Sequence, residues 1–373
     1  MACPFLREPV DVEAAILRRN LCEERLLRPR LDILSFPDNF LHERYRFSAQ
    51  SIIYLDHLLS PHFNCQTHRG HALSSIQIIC VALTNNCGFF ANGSFLYNVG
   101  DAEHISKATV CQSVRNVTLA LKRFLYTFVM FPSHRPIRTI KEEFYRIADF
   151  SGLIGCIDGT HIPIKAPSVN EGDYVNRKSF HSINVQVVCD ARNIITQVEA
   201  KWPGSVHDAR IFRESNLSTR FARGEFDGHV LGDRVYPCQP CLLTPYADPV
   251  PGPQQHYNLA HMRTRARVEN TFGILKARFQ CLQMLRVTPE RACDIIIACV
   301  VLHNIAILRG ENCPPAVADE QHINPNHAMD PQDGRVSQWF MGLGSGVMQN
   351  QAYLRNCARP KYGPHLDNAA DLA

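Results

Sequence analysis

Four acidic residues stand where a carboxylate could do chemistry. Asp158 ends an apolar run typical of a buried strand, Asp208 opens a predicted helix, Asp233 follows a short predicted strand, and Glu269 lies inside a long predicted helix. A charge on an apolar strand is costly to bury unless it is paired or binds a cation. Acids that converge from separate elements can hold two Mg²⁺ ions about 3.5–4 Å apart, an arrangement that cleaves phosphodiesters. Each acid taken alone is more simply explained as a turn or cap residue.

Basic residues accompany these acids and are candidates for phosphate contacts. One group, near the predicted strands, is Lys165, Arg177 and Lys178. The other lies on the helix of Glu269 and comprises Arg263, Arg265, Arg267, Lys276 and Arg278. Such side chains would draw DNA toward an acidic centre that otherwise repels phosphate. The alternative for each of them is a solvated helix face or loop.

Histidines and cysteines give weaker indications. His161 and His207 lie close to two of the acids, and we interpret them as hydrogen-bonding structural residues rather than water-positioning ones. Two cysteines, Cys238 and Cys241, form a CxxC with no second pair at zinc-site spacing, so a zinc site is not expected. The pair His303-Asn304 lies in an apolar helix and is predicted to be a hydrogen-bonded core pair.

The elements that must position the acids alternate between strand and helix from about residue 152. Residues 153–158 predict a strand closed by Gly159, and residues 182–189 and 194–200 alternate with period two around a turn, which predicts a hairpin. Helical texture over 205–221, a strand at 229–231, a proline-rich loop over 237–253 and a helix from about 262 to 279 follow. This order predicts a mixed α/β core.

The region before residue 137 reads as helical. Residues 100–128 resemble a helix-turn-helix with Ser106 as the N-cap of its second helix, which could offer Lys107, Thr109, Gln112 and Arg115 to a major groove. Two packed helices with no DNA contact give the same pattern. The leucines of residues 11–27 also have helical spacing, and the arginines around them favour a solvated face over an import or phosphate-contacting patch.

Composition is that of a soluble globular protein. The chain has 373 residues, 45% of them hydrophobic and 20% charged, with a formal net charge of +4 that neither requires nor excludes a nucleic acid. Its fifteen cysteines are scattered through apolar runs, which favours reduced thiols inside a cell. No secretory signal is recognised at the start, and the strongly apolar stretch 295–302 is far short of the roughly 20 residues that cross a bilayer.

Five motifs in order carry a family resemblance. IGCIDGTHIPIKAP (154–167), YVNRKSFHSINVQVVCD (174–190), WPGSVHDARIFRES (202–215), LGDRVYP (231–237) and RVENTFGILKARFQCL (267–282) closely resemble the DDE superfamily-4 domain of Harbinger-type transposases. They also resemble the vertebrate nuclease derived from those transposases. The resemblance extends over roughly residues 45 to 310. It departs at Arg234-Val235-Tyr236, where the family has a small residue and glycine before the aromatic.

The resemblance implies an RNase H-like mixed sheet flanked by helices, with acids that bind two divalent ions, Mg²⁺ or Mn²⁺. Matched by motif, the catalytic acids fall on Asp158, Asp208 and Glu269, and Asp233 is a further metal ligand. Whether Asp208 or Asp233 is the indispensable second aspartate stays open. We expect a helical region over 1–136, a nuclease domain over 137–310 and a loosely ordered tail over 311–373. Of the basic residues, Lys165, Arg177, Lys178, Arg267 and Lys276 are the predicted DNA contacts.

The leading hypothesis is a metal-dependent DNA endonuclease, in whose transposase form the freed 3′-hydroxyl attacks target DNA. One alternative is a domesticated, non-catalytic DNA- or protein-binding factor, and another is a helix-turn-helix regulator that uses residues 100–128. The resemblance also implies a Myb/SANT-like partner that binds DNA and brings the protein into the nucleus. Without that partner we expect it in the cytoplasm as well. Self-association stays open, and no membrane association is expected.

Overall fold

A mixed five-stranded sheet carries the candidate residues. The computed structural model of the protein describes residues 32–63, 72–84, 90 and 105–312. Within these residues the sheet has the order β3-β2-β1-β4-β5. Its strands are β1 (Leu153–Pro163), β2 (Ser182–Cys189), β3 (Ile195–Pro203), β4 (His229–Leu231) and β5 (Leu242–Leu243). Strand β2 is antiparallel to both β1 and β3, whereas β4 runs parallel to β1 and β5 parallel to β4.

Helices flank this sheet on both faces. They are α1 (Asp38–Tyr45), α2 (Ala49–Leu59), α3 (Ser75–Leu83), α4 (Lys107–Arg123), α5 (Leu125–Phe128), α6 (Ile137–Ala148), α7 (Asp208–Arg213), α8 (Asn216–Ala222), α9 (Pro253–Arg278) and α10 (Pro289–Leu308). The mixed sheet flanked by helices confirms the predicted α/β class and is consistent with an RNase H-like fold.

Four details of the prediction were wrong. Strand β1 does not close at Gly159 but continues to Pro163, because Thr160 to Pro163 keep their pairing with β2. Helix α9 begins at Pro253 rather than near residue 262, since proline is well suited to a first helical turn and the polar residues after it continue the helix. The proline-rich loop contains the short strand β5, and residues 205–221 form two helices rather than one.

The two faces of the sheet bury different clusters. Cys156, Ile162 and Val187 pack with the N-terminal helices, α9 and α10 in the larger cluster. Ile157, Val188 and other residues of alternate parity pack on the opposite face with Phe212, Tyr236 and Leu242. Because successive side chains of a strand point to opposite faces, the residues of β1 from Cys156 to Ile162 alternate between the two faces, and the irregularity between Leu153 and Gly155 shifts this alternation at the start of the strand.

The described part of the helix-turn-helix segment agrees with the prediction. Ser106 caps α4, its hydroxyl accepting a hydrogen bond from the Thr109 amide at 3.2 Å. Val114, Val117 and Leu121 are buried, and α4 packs against α3 and α10. Of the four residues predicted to face a major groove, Lys107, Gln112 and Arg115 are exposed and Thr109 is half-buried; the DNA contact itself stays a prediction. Residues 100–104, the segment 11–27 and the tail beyond residue 312 lie outside the described residues.

Helix α10 packs against α4, α5 and β3 and carries a buried polar pair, His303 and Asn304, called the α10 pair below. The Asn304 amide donates to the carbonyls of Phe128 (2.8 Å) and Ile195 (2.7 Å), and its oxygen accepts from the Ile195 amide (2.9 Å). Nε2 of His303 lies 2.9 Å from the carbonyl oxygen of Asn193. The prediction of a hydrogen-bonded core pair is confirmed for Asn304, whereas His303 bonds through Nε2 and its buried Nδ1 has no partner among the described atoms. By length and composition α10 could cross a membrane, but 67% of its most apolar window is buried, as in a core helix.

Candidate active site

The candidate site lies at an open edge of β1. Strand β4 pairs with β1 only as far as Cys156↔Leu231, whereas β1 continues to Pro163. Asp158 is therefore just beyond the last pair on that side, and Asp233 follows the end of β4 by two residues. Carboxylates from either face of the sheet can approach each other here, because no strand in the described part of the chain pairs with this edge of β1 beyond Cys156, and Leu285 bonds to it only at Pro163 and Lys165.

Asp158 projects toward the face covered by α9. Its Oδ1 accepts from the Gly159 amide at 2.9 Å, and its Oδ2 accepts from Nη1 of Arg265 at 2.8 Å. Its side chain is 17% exposed. The other nitrogen of the same guanidinium, Nη2, bonds to Oε1 of Glu269, one helical turn further along α9. One arginine thus joins two of the predicted acids.

Asp208 lies on the opposite face, at the start of α7. A Cβ added to Gly159 would be 2.6 Å from Cγ of Asp208, so only glycine lets this carboxylate approach the strand. Asn184 Nδ2 donates to Oδ1 of Asp208 at 2.7 Å, and Gln186 Nε2 donates to its backbone carbonyl at 3.0 Å and to the Tyr236 hydroxyl at 2.9 Å. Two strand residues thus hold the Asp208 segment against β2.

Asp233 opens the turn after β4. Its Oδ1 accepts from the Val235 amide at 3.1 Å, and its carbonyl accepts from the Tyr236 amide. Positive φ angles occur elsewhere, for example at Asn193 (65°), but not at Val235. The departure of Arg234-Val235 from the family's wording therefore introduces no left-handed residue.

Burial makes the three aspartates difficult to ionise. Desolvation raises the pKa of Asp158 to about 7; Arg265 opposes this rise, and the nearby charges of Asp233 and, more weakly, Asp208 add to it. The pKa values of Asp208 and Asp233 are also raised, mainly by desolvation. The hydrogen bond from Asn184 opposes the rise at Asp208, and Arg265 opposes it at Asp233. A single guanidinium does not compensate for this concentration of negative charge.

Asp158, Asp208, Asp233 and Glu269 are called the acid site below. Among the described residues, no group of three His, Cys, Asp or Glu side chains is arranged to hold a metal ion as it stands. The donor set nevertheless fits a hard divalent cation, because Gly159 leaves room for the Asp208 carboxylate and all the donors are oxygens. Buried acceptors, Oδ1 of Asn184 and Oε1 of Gln186, also have no partner among the described atoms.

Some of the predicted DNA contacts lie together and others do not. Lys178, Lys276 and Arg177 all lie close enough to His161 to lower its pKa, which desolvation and these charges bring to about 4. Arg177 and Lys178 are exposed, and Arg177 Nη2 lies 2.6 Å from Nε2 of His207. Lys165 is exposed after the end of β1, near Leu285. Arg267 is half-buried on α9, near the buried thiols of Cys156 and Cys189.

Two basic residues of α9, first considered as candidates for phosphate contacts, have other partners. Arg278 is fully buried and donates to the backbone carbonyls of Arg46, Glu311 and Asn312, so it joins chain segments and does not face DNA. Arg265 is bound to the acids. Apolar neighbours on both sides of Arg278 were a signal of its burial, and the i,i+4 spacing of Arg265 and Glu269 was a signal of their ion pair.

The histidines near the acids have partners, in agreement with a structural role. His161 Nδ1 lies 3.0 Å from the Ser182 hydroxyl. The CxxC cysteines are separate, with Cys238 exposed and Cys241 near Gln239. Sequence reasoning did not find Asn184, Gln186 or Tyr236 as residues that support the site. Polar residues at alternate positions of an otherwise apolar strand, as Asn184 and Gln186 are in β2, were the available signal.

Comparisons with known proteins agree with this architecture. Residues 157–304 match the DDE superfamily endonuclease family. A human protein named "Putative nuclease HARBI1" is 36% identical over 317 residues, which is 82% of this chain and 90% of the relative. The rat protein of the same name is 38% identical over 318 residues, covering 81% and 89%. An Arabidopsis thaliana relative, "Protein ALP1-like", is 25% identical over 77% of this chain and 74% of its own. No solved structure matches the chain significantly.

The mixed sheet and the matched domain define the class as DDE superfamily endonucleases, which are DNA-hydrolysing enzymes. Within this class the chain belongs to the Harbinger transposase-derived nuclease family, because relatives more than 30% identical cover most of its length.

Proposed function

We propose that this chain is a DNA endonuclease that hydrolyses phosphodiester bonds with the help of Mg²⁺ or Mn²⁺ bound at the acid site. The observation that carries the proposal is the meeting of buried acids at the open edge of β1, with the pKa of Asp158 raised to about 7 chiefly by burial. Uncompensated carboxylates of this kind are typical of functional sites rather than structural ones. Divalent cations bound there would activate water for attack and stabilise the leaving 3′ oxygen.

The acids of the site are proposed to differ in how they bind the cations. Asp158, Asp233 and Glu269 lie around Arg265, on the α9 side of β1, and we propose them as the main cation ligands. Asp208, on the other side of Gly159, is proposed as an additional ligand held by Asn184. This ranking is supported by the pKa of Asp158, which the charge of Asp233 raises more than the charge of Asp208 does.

DNA would lie against the basic residues next to the site. Arg177, Lys178 and Lys276 surround His161, whose lowered pKa keeps the imidazole neutral at pH 7. These cations are proposed to contact phosphates and so to offset the repulsion between DNA and the acids. Lys165 and Arg267 are proposed as further contacts, and exposed residues of α4 as a separate one.

The partner and the location follow from family membership. We propose that a Myb/SANT-like protein supplies sequence recognition and brings the chain into the nucleus, and that the chain is found in the cytoplasm without it. The mild net charge of +4 is compatible with shared DNA binding. Co-expression with fluorescence imaging tests the proposed location, and an unchanged distribution would contradict it.

Plasmid nicking tests the function. Supercoiled plasmid is incubated with wild type and variants in Mg²⁺, Mn²⁺ or EDTA. Asp158→Asn is expected to lose more than about 100-fold of the metal-dependent nicking, since even residues outside the ligand shell cost 10–100-fold. Asp227→Asn is the matched control, because the Asp227 side chain is 98% exposed and pairs with Lys141 away from the site.

Asp233→Asn and Asp208→Asn separate the two candidate second acids. The larger loss is expected for Asp233→Asn. Nicking by Asp158→Asn at the wild-type rate would contradict the proposed site.

A non-catalytic scaffold is the second candidate function. It is favoured by one observation, namely that a guanidinium rather than a metal-ready arrangement of acids occupies the space between Asp158 and Glu269. Calorimetric titration with Mn²⁺ distinguishes the two functions. Binding that Asp158→Asn abolishes supports the nuclease, and the absence of binding to wild type supports the scaffold.

A further inference from the structure

Arg265 has an unusual position for a residue of a DNA-binding helix. Its guanidinium donates through Nη1 to Asp158 at 2.8 Å and through Nη2 to Glu269, and only 22% of its side chain is exposed. Its charge also opposes the rise in the pKa of Asp233. Of the arginines nearby on α9, Arg263 is exposed and Arg267 is half-buried beside the thiols of Cys156 and Cys189.

The atoms that Arg265 contacts are those a cation would need. The other oxygen of Asp158, Oδ1, already accepts from the Gly159 amide, so Oδ2 is the oxygen with room for a ligand from the α9 side. Oδ2 and Oε1 of Glu269 are both taken by the guanidinium. A guanidinium cannot deprotonate to leave, and its charge repels an incoming cation. A cation that binds both acids through these two oxygens therefore competes with Arg265 for them.

We propose that Arg265 is a built-in counter-ion that holds Asp158 and Glu269 together in the metal-free protein and leaves both acids when a divalent cation binds. The inference rests on the proposed function, since it concerns the same acids. Arg265 is a positioning residue in this scheme: it keeps the acids from repelling each other before the cation arrives. Its displacement lowers the apparent affinity for the cation, so the metal-free state persists to higher metal concentration.

Metal titration without DNA is the first test. Mn²⁺ binding is measured by calorimetry for wild type, Arg265→Gln, Arg265→Lys and Arg263→Gln. Arg265→Gln is expected to bind Mn²⁺ about tenfold more tightly, within the usual range of coupling between two binding events. Arg265→Lys should lie between it and wild type, because an ammonium keeps the charge but lacks the planar fork.

Arg263→Gln is the matched control, since it removes the same charge from the same helix at an exposed position. It is expected to bind Mn²⁺ as wild type does. Equal tightening in Arg263→Gln and Arg265→Gln would overturn the inference, because general repulsion would then explain both. Weaker binding by Arg265→Gln would overturn it as well.

Chemical labelling of the wild type tests the displacement itself and does not depend on a variant that folds. Phenylglyoxal modifies accessible guanidinium groups, and the rate at each arginine is read by mass spectrometry with and without saturating Mn²⁺. Labelling of Arg265 is expected to become faster with Mn²⁺ while that of Arg263 is unchanged.

The outcomes separate this inference from the proposed function. If wild type binds Mn²⁺ through Asp158 but Arg265 is labelled no faster, the counter-ion role is wrong and the metal site stands. If wild type binds no Mn²⁺ at all, the metal-dependent function fails, and the displacement fails with it.

Discussion

Two regions of this protein bury polar side chains, and the two differ in how far those side chains have hydrogen-bonding or charged partners. In the α10 pair, both hydrogen-bonding atoms of the Asn304 side chain are used, by the backbone of two other segments. At the acid site three aspartates have raised pKa values, mainly because they are desolvated. The first region makes the fold more stable, whereas the second costs stability when its acids are ionised.

The difference shows how a structural polar residue is distinguished from a functional one. A hydrogen-bonded buried amide is complete without a ligand, so nothing further is expected to bind there. Ionised carboxylates with one shared guanidinium are incomplete, and proteins keep such arrangements where a ligand or reaction supplies the missing charge. Changes at the two regions should therefore have opposite effects on stability.

Asn304→Ala should have the largest effect on stability. It leaves the carbonyls of Phe128 and Ile195 and the Ile195 amide buried without a partner. Each buried unsatisfied group costs about 1–3 kcal/mol, so a loss of at least about 3 kcal/mol is expected in the free energy of unfolding. Urea denaturation followed by circular dichroism measures it. Asn216→Ala, at an exposed position of α8, is the control and should change stability by less than about 0.5 kcal/mol.

His303 should make the same region sensitive to acid. Burial lowers its pKa to about 4 from a usual 6.5, so the folded state holds the imidazole neutral while the unfolded chain protonates it. Its stability contribution is complete above pH 6.5 and is lost as the pH falls toward 4, by about 3 kcal/mol in all. His303→Gln should flatten the pH dependence of the melting temperature over this range, and His161 and His261, whose pKa values are also about 4, should preserve part of it. An unchanged slope would contradict this assignment.

The two regions also differ in how far the sequence predicted them. The α10 pair was predictable because polar residues in an apolar helix need partners, although Asn193 and Ile195 are far away in the chain. The hairpin and β4 followed from alternation and turn residues, and the family motifs located the acids. The approach of Asp208 to β1 from the opposite face was not predictable, because it depends on Gly159 and on the short pairing of β4.

The partners of Arg265 and Arg278 were also difficult to predict from the sequence. Both are arginines on α9, and periodicity gave them the same interpretation. Arg278 is at the end where other segments bring carbonyls to it, and Arg265 is opposite the acid of β1. Which partner an arginine meets is set by tertiary packing, so residue type alone could not separate them; the apolar neighbours of Arg278 and the i,i+4 spacing of Arg265 and Glu269 were the signals the sequence offered.

Asp158→Asn should change the stability of the fold in the opposite direction to Asn304→Ala. Because the pKa of Asp158 rises from 3.8 to about 7 on folding, the metal-free protein loses stability as the pH rises from about 4 to about 7. The amide carries no charge and avoids this cost. The variant should therefore be more stable than wild type at pH 8 in EDTA, by up to about 4 kcal/mol. Thermal melting with EDTA measures the gain, and saturating Mn²⁺ should stabilise wild type more than the variant. A less stable variant at pH 8 would place Asp158 among the structural residues.

Gln186→Ala should have the smallest effect on stability. Gln186 shares features of both regions, the hydrogen-bonded α10 pair and the acid site. Gln186 is buried in β2 like a structural amide, yet it donates to the Asp208 carbonyl and the Tyr236 hydroxyl and has an oxygen without a partner among the described atoms. Removing it should cost about 1–2 kcal/mol of stability, as for a buried hydrogen-bonding group. It should also lower nicking about tenfold, since supporting residues of metal sites have effects of this size.

The comparison variant for this prediction is Gln197→Ala. Gln197 lies on the neighbouring strand β3 and donates to Glu199, away from the acids. Both variants are expected to lose stability, but only Gln186→Ala should also lose nicking at a temperature where both are folded. Nicking that falls equally in the two variants would mean that Gln186 acts through stability alone and belongs with the α10 pair. Nicking lost only in Gln186→Ala would mean that the acid site extends into the buried face of β2, where a hydrogen-bonded amide sets the position of a carboxylate.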